Sequence, residues 1–185
     1  MESPWEVGRS IDMTLPTAYC GPRSYFDALM SGEYEIEQME TFEKQTFRNR
    51  CLIRDPKGDI IRLTVPVGKV EHKQLTRDIQ ISYQSKWQHQ HWIAIESAYR
   101  RMPYFLYYAD YLRPHYERQY KWLLDLNEGL TETIVSLLNK ERPQLVESQK
   151  SKVESRTQDW SGLIWTDRHP WQTEISILDT LFDEH

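Results

Sequence analysis

The hydrophobic pattern of this chain changes period once, and that change limits the folds open to it. Over Tyr34 to Met39 apolar and polar residues alternate, as they do in a strand with one buried face. From Ser85 onward the spacing is helical: Trp87, Ala94, Ile95, Ala98 and Met102 make one stripe. Leu123, Leu126, Leu130, Ile134, Leu137 and Leu138 make a second and clearer one. Strands that precede helices predict an α/β or α+β fold, with a mixed sheet from the N-terminal half packed against a C-terminal helical layer.

The punctuation sets the elements. Strands are expected over Ile11 to Leu15, Tyr34 to Met39 and Asp78 to Ser82. A hairpin is expected from Cys51 to Arg54 and Asp59 to Val67, turning at Asp55, Pro56, Lys57 and Gly58. Pro22 suits the first turn of a helix that runs through Tyr25, Phe26, Leu29 and Met30 and stops at Ser31 and Gly32. Ser85 reads as the N-cap of a helix that Pro103 ends. Tyr104 to Arg113 reads as a short helix interrupted by Pro114, and Tyr120 to Lys140 as a long one. Residues 1–10 read as a loose tail and 141–159 as a polar loop. Ile175 to Phe182 is apolar enough to dock as helix or strand. The whole of 1–185 is expected to form one domain, a length sufficient for one core.

Composition narrows the function classes. Only 39% of residues are hydrophobic, but 7 Trp, 11 Tyr and 5 Phe supply large core volumes and polar edges for a pocket. A net charge of −5 argues against a chain-wide nucleic-acid footprint and a specific nucleic-acid partner. Phe42 and Phe47 among the cations would suit base stacking, and the charge balance opposes it. No run approaches the ~18 apolar residues of a membrane span, which leaves room only for peripheral membrane association. Residues 1–13 carry Glu2, Glu6 and Asp12 and lack the charge and apolar pattern of a secretory leader. Two cysteines, Cys20 and Cys51, without zinc-ligand spacing suggest a reducing compartment, so a cytoplasmic location is expected.

Several groups could carry chemistry. Lys44, Arg48 and Arg50, with Arg54 beyond, are dense cations for an acidic chain. If the segment is extended, Arg48 and Arg50 project to one side, where two guanidinium forks could hold a phosphate or carboxylate, and Asn49 points the other way. An exposed loop whose arginines pair with the chain's acids is the competing reading. His91 lies on the stripe of Trp87, Ile95 and Ala98, where imidazole could act as general base or be a neutral core residue with both nitrogens bonded. Its neighbour His89 diverges from it on a helix, so no metal site forms there. Tyr19 and Tyr25 flank the turn from Thr17 to Pro22, the place where open sheets put ligand loops, and are either stacking residues or core. That turn holds one glycine, so there is no phosphate cradle and no dinucleotide fingerprint, and the cofactor is unknown. Asn127, on the apolar side of the long helix, needs partners there: a substrate hydroxyl or a neighbouring element.

The segments around these groups, taken in order, resemble the WbqC-like family. Leu15 to Pro22 with Tyr25 and Phe26 is similar to its opening, and Lys44 to Arg50 to its Arg-Asn-Arg segment. Leu63 to Val67 follows, then Trp87, His91, Trp92, Ile95, Glu96, Ser97, Tyr99 and Pro103 to Phe105. Ile175 to Asp179 with Leu181 and Phe182 is similar to its C-terminal signature. Cys20 stands where a bulkier residue is expected, so no catalytic role is carried onto it. The resemblance implies a transferase of surface-polysaccharide (O-antigen type) biosynthesis. Such an enzyme moves an acyl or aminoacyl group, glycyl for instance, onto a sugar. Its partners would be a phosphate-bearing sugar precursor or an acyl carrier. His91 would then be the catalytic residue, and Tyr19, Tyr25, Lys44, Arg48, Asn49, Arg50 and Asn127 would bind substrate. The alternative is a non-catalytic carbohydrate- or nucleotide-sugar-binding accessory protein.

Overall fold

The computed structural model describes residues 13–31, 34–139 and 174–183. The tail expected over 1–10 and the loop expected over 141–159 lie outside the described residues. The chain opens as a short βαβ unit, in which β1 (Met13–Pro16) and β2 (Tyr34–Glu37) pair in parallel across α1 (Arg23–Ser31). Pro22 stands just before α1, and its carbonyl accepts the first N–H bonds, from Tyr25 and Phe26. A fixed φ and a missing donor cost nothing there. Tyr25, Phe26, Ala28 and Leu29 form the buried face of α1.

Next comes the antiparallel hairpin of β3 (Arg50–Arg54) and β4 (Ile60–Thr64), with Leu52 opposite Arg62 and Arg50 opposite Thr64. Its turn is held locally. The Asp55 carboxylate accepts the N–H groups of Lys57 and Asp59, and Gly58 takes the positive φ of 93° that favours a residue without Cβ. Along β3 the burial alternates, with Cys51 and Ile53 inward and Arg50, Leu52 and Arg54 outward.

The fold is mixed, with strands first and helices after, as the change of period requires. Its strands are divided, however: the parallel and antiparallel pairings form two two-stranded sheets rather than one. Residues 65–86 make isolated bridges instead, Leu75 to Thr41 after β2, Val67 to Ile81 within the segment, and Gln80 to Trp122. The strand expected over Asp78 to Ser82 is a 3-10 turn, Thr76–Asp78, followed by two such bridges. Its N–H groups bond to single residues of other segments instead of a continuous partner: Ile81 to Lys121, Ser82 to Pro66.

The helical layer consists of α2 (Trp87–Tyr99), α3 (Phe105–Glu117) and α4 (Leu123–Asn139), each packed on the next. The N-cap of α2 is Lys86, with no side-chain cap, not Ser85. Pro114 does not interrupt α3, which runs on to Glu117. Pro114 and Asp110 both lie on the exposed side of α3, where a carbonyl that lacks its helical N–H partner is open to solvation. On α4, Leu123, Leu126, Leu130, Ile134 and Leu137 are buried, as their spacing demands. The last element, α5 (Ile177–Asp183), packs against α1 and β3. No helix of the described residues is long and apolar enough to cross a membrane.

Candidate functional site

The loop from β1 to α1 is the organising feature. Tyr19 donates its N–H to the Phe47 carbonyl, which ties the loop to the basic segment. Cys20 has a φ of 45°, unusual for a residue with a side chain. Gly21 follows because space demands it: an added Cβ would meet the Tyr25 ring at 2.9 Å. The C-terminal segment clamps the loop from outside. Ser176 donates its hydroxyl to the Cys20 carbonyl at 2.7 Å, and Ile177 its N–H to Gly21. Thus the two ends of the chain complete one corner.

Behind the loop lies a buried cluster of hydroxyls, thiols and one imidazole. The Tyr19 hydroxyl is 2.8 Å from His91 Nδ1 and 3.1 Å from the Tyr116 hydroxyl, which stands 3.7 Å from Cys20 Sγ. The Thr64 backbone carbonyl also favours a proton on His91, and the Trp87 ring meets the imidazole edge-on at 5.2 Å. The Tyr19 hydroxyl thus bridges His91 Nδ1 and the Tyr116 hydroxyl, and the Tyr116 hydroxyl bridges Tyr19 and Cys20 Sγ. Burial pushes the His91 pKa down to about 4, against the partial support of the Thr64 carbonyl. Burial, then the charge of a Cys20 thiolate, pushes Tyr19 and Tyr116 up; Cys51 is raised by burial and then by its bond to Cys20. The Tyr19 and Tyr116 phenols and the Cys51 thiol are therefore protonated, and the imidazole is neutral, around pH 7.

In front of the loop is a cleft of about 210 Å³, bounded by Cys20, Gly21, Thr46, Arg50, Arg62 and Ser176 among others. Arg50 and Arg62 sit diagonally on the outward face of the hairpin, because Arg50 opposes Thr64 and Arg62 opposes Leu52. Burial and the like charge of Arg62 both lower the Arg50 pKa. Arg50 donates to the Thr64 hydroxyl at 3.3 Å, so Thr64 touches both the arginine and, through its carbonyl, His91. The Glu174 carboxylate, which accepts from the Ser24 hydroxyl, lines the same cleft, so the lining keeps one net positive charge that an anion relieves. The volume lies below the ~300 Å³ at which whole small-molecule sites begin, and suits the charged end of a larger molecule.

The expected site residues are distributed unevenly around this centre. Arg48 does not stand beside Arg50, since residues 47–49 form a turn and break the alternation. Instead Arg48 is buried and bonds the Glu40 carboxylate through both Nε and an NH₂ nitrogen. Asn49 binds backbone at both ends of its amide, accepting from Gln45 and donating to Val65. Asn127 is fully buried and donates to the Arg48 carbonyl at 2.8 Å; its Oδ1 has no partner among the described residues. Lys44 is exposed on the turn. Tyr25 is core, with its hydroxyl on the Pro16 carbonyl. Phe42 and Phe47 are buried, so neither is presented to a base. Among the described residues no group of three or more His, Cys, Asp or Glu could hold a metal ion.

Arg62 was the residue the sequence argument passed over. Its signal was present: a hairpin folded about the turn at residues 55–58 mirrors Leu52 onto Arg62. The roles of Tyr116 and Cys51 had no local signal, because both come from distant segments. A family model described as the WbqC-like protein family matches residues 18–168 of this chain. No curated protein and no solved structure matches it.

Proposed function

The chain belongs to the WbqC-like protein family, and from that premise we propose that it transfers an acyl or aminoacyl group, glycyl for instance, to a sugar precursor of surface-polysaccharide biosynthesis. The observation that carries this reading is the Arg50 and Arg62 pair at the cleft. In it the arginines hold the phosphate or carboxylate of the donor or of the phosphate-bearing sugar. The acceptor amine or hydroxyl attacks the acyl carbonyl. As the tetrahedral intermediate collapses, the bond from that carbon to the donor's phosphate or thiol breaks and that group leaves as its anion. The acceptor must lose a proton. His91 accepts that proton through Tyr19, whose hydroxyl already faces Nδ1. A conjugate acid near 4 makes the imidazole free to accept at neutral pH but a weak holder, so it passes the charge on rather than storing it.

The test is thermal stabilisation of the wild type and of Arg50→Ala/Arg62→Ala with nucleotide sugars, coenzyme A thioesters, ATP and polyphosphate. Ligand at a hundred times its dissociation constant adds about 2.7 kcal/mol. A shift for one class that the variant loses places the anion, and the same compounds with amino-sugars then serve to seek product. No shift with any of them removes the anion role from the cleft.

The second reading, a non-catalytic carbohydrate- or nucleotide-sugar-binding accessory protein, is favoured by one observation: His91 is only 6% exposed and already has two partners. It predicts saturable binding without product, and unchanged affinity in His91→Gln.

A further inference from the structure

A second concavity lies on the other side of Tyr116, between the start of α2 and the end of α3. Its volume is about 330 Å³, within the range of small-molecule sites. Every side chain along it is polar or aromatic, and none is aliphatic. That excludes the apolar wall an acyl chain or lipid tail requires. What it offers is the half-buried indole of Trp92, backed by the rings of Phe105 and Tyr116 at 6.3 and 5.7 Å. Around the indole stand the amides of Gln88 and Gln119, the imidazole of His89 and the guanidinium of Arg113. Lys86 and Arg113 stand against Glu117, to which Arg113 is bonded, so charge alone does not define what the groove takes.

A flat aromatic surface ringed by planar donors and acceptors matches one ligand chemistry above others: a ring with an apolar C–H face and hydroxyls at its edge. We propose that this groove is a carbohydrate-binding subsite in which a hexose ring packs on Trp92 and its hydroxyls bond His89 and Gln119. The proposal rests on the sugar-transfer reading above and assigns the groove to a sugar residue of the precursor away from the reacting centre. Tyr116 bounds this groove and touches Cys20, which bounds the arginine cleft. The two concavities are therefore separated by two side chains in contact, Tyr116 and Cys20. A sugar in the groove and a charged group in the cleft lie on either side of the Tyr116, Tyr19 and His91 hydroxyl-imidazole chain.

The test is calorimetric titration of the full chain with methyl glycosides of neutral, 2-amino and 2-acetamido hexoses. The variants are His89→Ala/Gln119→Ala, which removes two exposed side chains and leaves Trp92 packed, and Arg50→Ala/Arg62→Ala. At least one glycoside binds the wild type, binds the groove variant at least about tenfold more weakly, and binds the arginine variant unchanged. Equal melting temperatures of the groove variant and the wild type show that the loss is not one of folding. Three results overturn the proposal: no glycoside binds; binding survives the groove variant; or binding disappears in the arginine variant instead. Free glycosides carry no transferable group, so failure of the transfer reaction leaves this titration unaffected. Loss of glycoside binding likewise leaves the anion experiment intact.

Discussion

His91 is a buried base, and its burial has a pH signature that can be measured. In the folded chain its pKa lies at about 4, against 6.5 for the free side chain. The folded state thus binds fewer protons than the unfolded one between those values. Above pH 6.5 both states hold a neutral ring and the titration has no effect on stability. As pH falls, the unfolded ring protonates first, so stability is lost through the window from 6.5 to 4 and no further below it. A shift of that size corresponds to about 3 kcal/mol in full, of which ~2 kcal/mol is expressed by pH 5. His91→Gln cannot titrate, yet it can still accept from Tyr19 and donate to Thr64. Urea unfolding of both proteins at pH 8 and pH 5 isolates the effect, because every carboxylate common to the two cancels in the difference. The wild type should lose about 2 kcal/mol relative to the variant between those pH values. A difference flat to within ~0.5 kcal/mol, or a wild type that gains on acidification, refutes the neutral, desolvated imidazole.

Further expectations follow from single contacts. Arg48→Ala leaves the Glu40 carboxylate without its two-point partner and is expected to cost ~3 kcal/mol in urea unfolding, more than an exposed arginine would. Gly21→Ala drives a methyl into the Tyr25 ring and should lower stability by about 1–3 kcal/mol, while Gly58→Ala strains the hairpin turn by backbone conformation alone. Leu126→Ala, at a fully buried site on α4, should cost ~2–5 kcal/mol. Iodoacetamide should label Cys20 and Cys51 slowly in the native protein at pH 8 and rapidly in denaturant, followed by mass spectrometry; equal rates would show the two thiols to be open to solvent.

Much of the fold was legible because local chemistry sufficed. Pro22 and the Gly58 turn act on their immediate neighbours, and the α4 stripe needs only helix geometry to share a face. The failures are where the outcome depended on something outside the window. Ser85 is a good cap residue by type, but the helix entered one residue later. Pro114 is a breaker by type, but it stands on the exposed side of α3, where the carbonyl it orphans is open to solvation. Residues 78–82 have strand character without a continuous strand to pair with.

The candidate site divides along the same line. Sequence by itself determined that a cationic segment exists, that His91 lies on the inner stripe of its helix, and that aromatic residues do the work of a scarce aliphatic core. These follow from residue type and spacing, which act over a few positions. Only the tertiary structure decided which cations are available. Arg48 meets Glu40 and is neutralised, while Arg50 is joined by Arg62 across a hairpin and, among the described residues, meets no carboxylate within salt-bridge distance. Only it brought Tyr19, Cys20, Cys51, His91 and Tyr116 into one hydrogen-bonded cluster. Charge neutralisation and hydrogen bonding reach only a few ångströms, and which groups come within that distance is set by how the elements pack, not by their separation along the chain.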